Sequence, residues 1–179
     1  MKAVGVTAVA LTLIIGVWTI GSVVGRAQVE SSDKNVAVLD DCDTTDPTWA
    51  ALGGCTLLPS RGDVPRSEFS ALLLSPLSLA VIGHPSWRNE PSHLTIKTGN
   101  KVRVTNKGGR GHTFTEVTNF GGGFVPPLNT GLTPAPECTP VGTIALPPGA
   151  TVELTGLGPG LHRFQCCIHP WMRATIKVQ

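Results

Sequence analysis

The segment FQCCIHPWMRATIKV, residues 164–178, sets two cysteines, a histidine and a methionine within seven consecutive positions. Thiolate, imidazole and thioether are donors that favour soft or borderline metals. Counting from Cys166 gives Cys-x-x-His-x-x-Met, with His169 and Met172. A loop of that length can turn three side chains onto one point. A second imidazole must come from elsewhere, and GGRGHTF offers His112 at the start of a strand, just after a flexible turn. Two imidazoles and a thiolate in a trigonal plane, with a weak axial thioether, suit a metal that exchanges single electrons, copper above all. Taken singly, each of these residues is more readily structural, and Trp171 and Met172 would suit a core. The combination reverses that weighting. His84, His93 and His162 lack such company and read as surface or structural histidines.

The elements that must carry these donors are strands. GLHRFQC alternates as a strand, which places Cys166 at its end and makes the following residues the loop into RATIKVQ. SHLTIKTG and KVRVTN alternate around a Gly99–Asn100 turn and predict a hairpin. GHTFTEV, VGTIALPPG and ATVELTG supply further strand patterns, punctuated by PPG and GPG turns. Seven or eight short strands without helical periods argue for an all-β fold, a two-sheet antiparallel sandwich. One long break, residues 118–140, reads as a functional flap or a packed cover.

Composition agrees. Of 179 residues, 41% are hydrophobic and 15% charged, with 21 Gly and 15 Pro, which excludes a charged disordered chain and leans towards a turn-rich β fold. Residues 1–27 carry one early lysine and then no charge until Arg26, so they predict a signal peptide or an uncleaved N-terminal membrane anchor. Either places the rest outside the cytoplasm, periplasmic or secreted. Residues 28–75 read as an acidic irregular leader with one short helix, and residues 76–179 as the strand domain. The leader holds three basic and eight acidic side chains, the domain nine and four, so −5 faces +5. This asymmetry predicts that the leader lies near the domain. The scattered basic residues make no nucleic-acid footprint. The RGD at 61–63 reads as chance.

On GHTF and FQCCIHPWMRATIKV, over residues 76–179, the sequence resembles the cupredoxins, within them the plastocyanin, pseudoazurin and amicyanin group. The resemblance implies an eight-stranded Greek-key β-sandwich with one type 1 (blue) copper ion at one end, held by His112, Cys166, His169 and Met172. Many relatives carry Asn after the first histidine, where Thr113 stands here. Cys167 points to the opposite side of the strand end from Cys166, and its spacing to His169 is too tight for the family geometry. Cys42, Cys55, Cys138 and Cys167 then remain, an even number that three pairings could satisfy. Cys42–Cys55 closes the shortest loop. Cys138–Cys167 is disfavoured, because family topology starts the strand from Val141 at the end away from copper.

The resemblance further implies a carrier of single electrons between redox proteins, not an enzyme. Those proteins would dock transiently at Pro170 and Trp171, beside a surface edge of His169. A copper-handling protein, delivering or buffering the metal, is the alternative on the same fold. A multicopper oxidase is excluded, since five histidines include no His-x-His pair.

Overall fold

The computed structural model describes residues 33–57, 62–73, 83–139 and 145–179. The expected targeting segment, residues 1–27, lies outside them. Among the described residues no helix is long and apolar enough to cross a membrane.

Period-two alternation builds two four-stranded sheets. The first runs in the order β2 (Arg88–Glu90), β1 (Lys34–Leu39), β4 (Val102–Asn106) and β8 (Thr151–Leu154). In the second the order is β3 (His93–Ile96), β10 (Arg173–Val178), β9 (Gly160–Gln165) and β6 (Thr115–Val117). Val36, Val38, Val102 and Val104 face inward from one sheet, and Ile96, Phe164, Ala174, Ile176 and Val178 from the other. They form one core, an all-β sandwich as the strand patterns predict, but its sheets are mixed rather than antiparallel, since β1 pairs with β4 and β3 with β10 in parallel. A short pair, β5 (His112–Thr113) with β7 (Ala145–Leu146), completes the described strands. Phe114, between β5 and β6, turns into the core and stacks on Phe164 with ring centroids 4.8 Å apart.

Two further expectations change. The described part of residues 28–75 is not an irregular leader: β1 pairs in parallel with β4 and antiparallel with β2, as an interior strand of the first sheet. The segment also contains a 3-10 helix (Pro47–Leu52) and α1 (Arg66–Leu73), the short helix expected there. The described part of this segment lies against the strand domain through hydrogen bonds to backbone groups. Asp33 accepts from the Lys101 amide at 3.0 Å, and Arg110 reaches back to the carbonyls of Leu52 and Gly54. The second change concerns β3 and β4, which do not form a hairpin. The tight turn exists, with the Asn100 amide bonded to the Lys97 carbonyl at 3.1 Å. It carries the chain from one sheet to the other, since Ile96 and Val102 must enter the core from opposite sides.

Candidate metal centre

Strand β9 ends at Gln165, and the next seven residues fold into a closed turn before β10. The Cys166 amide donates to the Met172 carbonyl, and the Met172 amide to the His169 carbonyl, each at 2.9 Å. This turn brings His169 back over Cys166. From the other side β5 delivers His112. Cys166 Sγ lies 3.8 Å from His112 Nδ1 and 3.6 Å from His169 Nδ1, and the three donor atoms all fall within 4.8 Å of one another. Metal bonds of about 2.3 Å to sulfur and 2.0 Å to nitrogen, spread at about 120°, would separate S and N by about 3.7 Å. The donors fit a trigonal metal site.

Electrostatics favours the metal-binding form of the thiol. Burial pushes Cys166 up, but hydrogen bonds with His112 and His169, and then their charge, outweigh it and hold the thiol well below its ordinary value. The Thr113 amide also points at Sγ, 3.4 Å away. Burial lowers His169, only partly offset by Cys166. For His112 burial alone would do the same, yet its hydrogen bonds with Asp40 and Cys166 win and raise it to about 9. Asp40 is held below its usual range: burial opposes this, but the His112 contact and the Gly109 and Arg110 amides prevail.

Three residues that the sequence reading did not single out shape this centre. Asp40 is fully buried and bonded to His112 Nε2 at 2.6 Å. Gln165 ties strand β9 to the flap, accepting from the Gly121 amide at 3.0 Å and donating to the carbonyls of Gly121 and Gly122. Asn129 accepts from the Gly123 amide and donates to the carbonyls of Val125 and Ile168. For Asp40 the signal was present. In NVAVLD the position shares the inward parity of Val36 and Val38, so a carboxylate there demands buried partners.

Thr113, standing where relatives carry Asn, still braces the ligand loop: its Oγ1 accepts the Cys167 amide at 2.7 Å. The described part of the long break, residues 118–139, is a packed cover. The Phe124 amide bonds to the Cys167 carbonyl at 3.0 Å, and a Cβ on Gly123 would sit 1.7 Å from that same oxygen, so only glycine permits the approach. Both disulfides form, Cys42–Cys55 and Cys138–Cys167, leaving Cys166 as the free cysteine among the described residues. The disfavoured Cys138–Cys167 pair is therefore present. The flap doubles back on itself, as the bridge between Gly122 and Pro134 records, and so returns Cys138 to the metal end.

No family model and no curated protein matches the sequence. Solved structures do. A purple cupredoxin from Nitrosopumilus maritimus is 18% identical over 54% of this chain and 86% of its own, with a TM-score of 0.40. Two reduced amicyanin variants are each 21% identical, covering 50% and 51% of this chain and 71% and 73% of theirs, with TM-scores of 0.35 and 0.36. The chain is similar to the cupredoxins.

The structure brings together three of the four expected ligands, His112, Cys166 and His169. Met172 lies buried in the same turn, held there by its backbone. The expected surface edge of His169 is not found, because the residue is only 4% exposed. Phe69 and Trp171 pack edge-on against its ring, at 6.4 and 5.4 Å. Pro170 is buried and Trp171 half-buried, its indole against Gly83. His169 instead borders a hollow of about 700 Å³ shared with Trp49, Phe69, Arg110, Leu128 and Ile168. Of the remaining histidines, His84 is buried and bonded to Glu68 at 3.2 Å, whereas His162 pairs with Glu116 on the surface. Neither joins the metal cluster.

Proposed function

We propose that the protein is a type 1 copper protein that carries single electrons between redox partners outside the cytoplasm, and is not an enzyme. The observation that carries this reading is the convergence of His112, Cys166 and His169 with all three side chains buried. Copper bound there would supply the one-electron couple between Cu(I) and Cu(II). His112, Cys166 and His169 would hold the ion, with Met172, buried in the same turn, as the expected fourth donor. The protein's own work is to keep these donors fixed in both oxidation states. Hydrogen bonds around the turn, the Thr113 brace and the Cys138–Cys167 bridge all restrain the ligand loop, so little rearrangement accompanies electron transfer.

The copper-handling alternative calls for an exposed, labile site from which metal can be passed on. Ligands at 0–4% exposure favour the carrier. Two disulfides support an oxidising compartment. Electrons would pass through the His169 ring towards the hollow it borders, rather than through an exposed edge beside Pro170.

The test is the purified protein with Cu(II). An intense visible thiolate-to-copper charge-transfer band, abolished by Cys166→Ala, is expected together with reversible one-electron voltammetry. A colourless copper complex would defeat the reading. Copper that is bound and readily surrendered to a chelator, without reversible electron exchange, would favour handling over carrying.

A further inference from the structure

Asp40 directly follows β1, on the same inward parity as Val36 and Val38, and its carboxylate has no exposed surface. A buried carboxylate is costly unless each oxygen finds donors. Here both do. Oδ1 accepts the Gly109 amide at 2.9 Å, while Oδ2 accepts the Arg110 amide at 3.1 Å and faces His112 Nε2 at 2.6 Å. The Arg110 guanidinium is engaged elsewhere, with the carbonyls of Leu52 and Gly54, so the side chain directly on the carboxylate is the His112 ring. The glycine-rich turn before β5 closes onto this group. A Cβ on Gly108 would lie 2.1 Å from Asp40 Oδ2, and one on Gly109 would lie 2.6 Å from the sulfur of Cys42 in the nearby disulfide.

We infer that Asp40 is a positioning residue of the metal centre, fixing the His112 tautomer through Nε2 and making Nδ1 a stronger donor to copper. The inference rests on the copper reading above. With the proton held on Nε2 by the carboxylate, the Nδ1 lone pair is left facing Cys166 Sγ. Carboxylate–histidine–metal arrangements raise ligand basicity, and their loss weakens metal affinity by about 10- to 100-fold. A more basic imidazole and a nearby negative charge both favour Cu(II) over Cu(I). Asp40 therefore lowers the reduction potential. Asp40 lies outside residues 76–179, so the segment that follows β1 is part of the metal centre.

The experiment compares the full-length copper protein with Asp40→Asn, which keeps the shape and removes the charge. The variant is expected to stay coloured, to bind Cu(II) about tenfold more weakly with Cu(I) affinity little changed, and to show a midpoint potential raised accordingly. A tenfold change confined to one oxidation state corresponds to about 59 mV. A coloured variant with unshifted or lowered potential would overturn the role of Asp40 while leaving the copper reading intact. A wild type that binds no copper would overturn both. Should Asp40→Asn fail to fold, the wild-type Cu(I) form decides by nitrogen-edited NMR. A slowly exchanging His112 Nε2 proton is expected, and a fast-exchanging one refutes the bond.

Discussion

Met172 has 1% of its surface exposed, and both its amide and its carbonyl are engaged within the ligand turn. Leucine nearly conserves its volume, so Met172→Leu is expected to cost less than about 1.5 kcal/mol of stability. The turn should survive and copper remain bound. Loss of the thioether removes a donor that favours Cu(II), and voltammetry should find a raised potential. Complete loss of copper would instead make Met172 more than a weak axial contact. Trp171 is a different case. Its ring packs on Gly83, Phe69 and His169, so it supports the ligand imidazole from behind. Truncating a large buried aromatic costs about 3–5 kcal/mol, and a half-buried one correspondingly less. Trp171→Ala is expected to lose about 2–3 kcal/mol in a denaturant titration and to disturb the visible spectrum. An unchanged unfolding midpoint combined with slower electron exchange would return Trp171 to the docking role that the sequence suggested.

Between strands β6 and β9 an exposed pair offers a test of a single element. His162 Nδ1 meets Glu116 Oε1 at 2.6 Å, and Nε2 meets the Gly158 carbonyl at 2.8 Å. The hydrogen bond to Glu116, and then that to Gly158, favour the imidazolium and raise His162 above its ordinary value. A raised folded-state value means that the stabilisation is complete below about pH 6.5. It is lost as pH rises through the folded value. Wild type should therefore exceed Glu116→Gln in stability at about pH 5.5, with the gap closing as pH rises. A gap independent of pH would show that the pair is not linked to folding. Strand existence was legible here, because GLHRFQC and RATIKVQ alternate cleanly. Strand pairing was less so. The turn at Gly99–Asn100 looks the same in sequence whether it joins two strands of one sheet or crosses between sheets, and only the core faces of Ile96 and Val102 distinguish them. In NVAVLD the alternation was equally plain, but the neighbouring turn residues and acidic charge obscured a strand whose partners lie far along the chain.

At the scale of the whole molecule the metal end is closed by segments distant in sequence. The ligands Cys166, His169 and Met172 were legible because one short turn contains them, and His112 because its strand follows a glycine-rich turn. The partner of Asp40 and the course of the flap back to the metal end were not, since long-range pairing leaves no local period to read. The flap is the stronger instance. It reaches the ligand loop through the Cys167 carbonyl, the Asn129 side chain and the Cys138–Cys167 disulfide, whose cysteines stand 29 residues apart. Closing a loop of that length in the unfolded chain is worth about 3.5 kcal/mol in the chain-entropy account. The bridge also fixes the residue next to Cys166 while leaving the Cys166 thiolate free for metal. Replacing Cys138 and Cys167 together by serine is therefore expected to lower unfolding free energy by about 3–4 kcal/mol. Because the ligand set is untouched, the visible band should persist. Copper should nevertheless escape faster to a chelator, because the cover over the loop is then held only by hydrogen bonds and packing. Stability and release rate are separate readouts. A double variant that is less stable yet releases copper at the wild-type rate would make the bridge a fold staple with no part in retaining the metal, and a bleached variant would move the ligand assignment from Cys166 to Cys167.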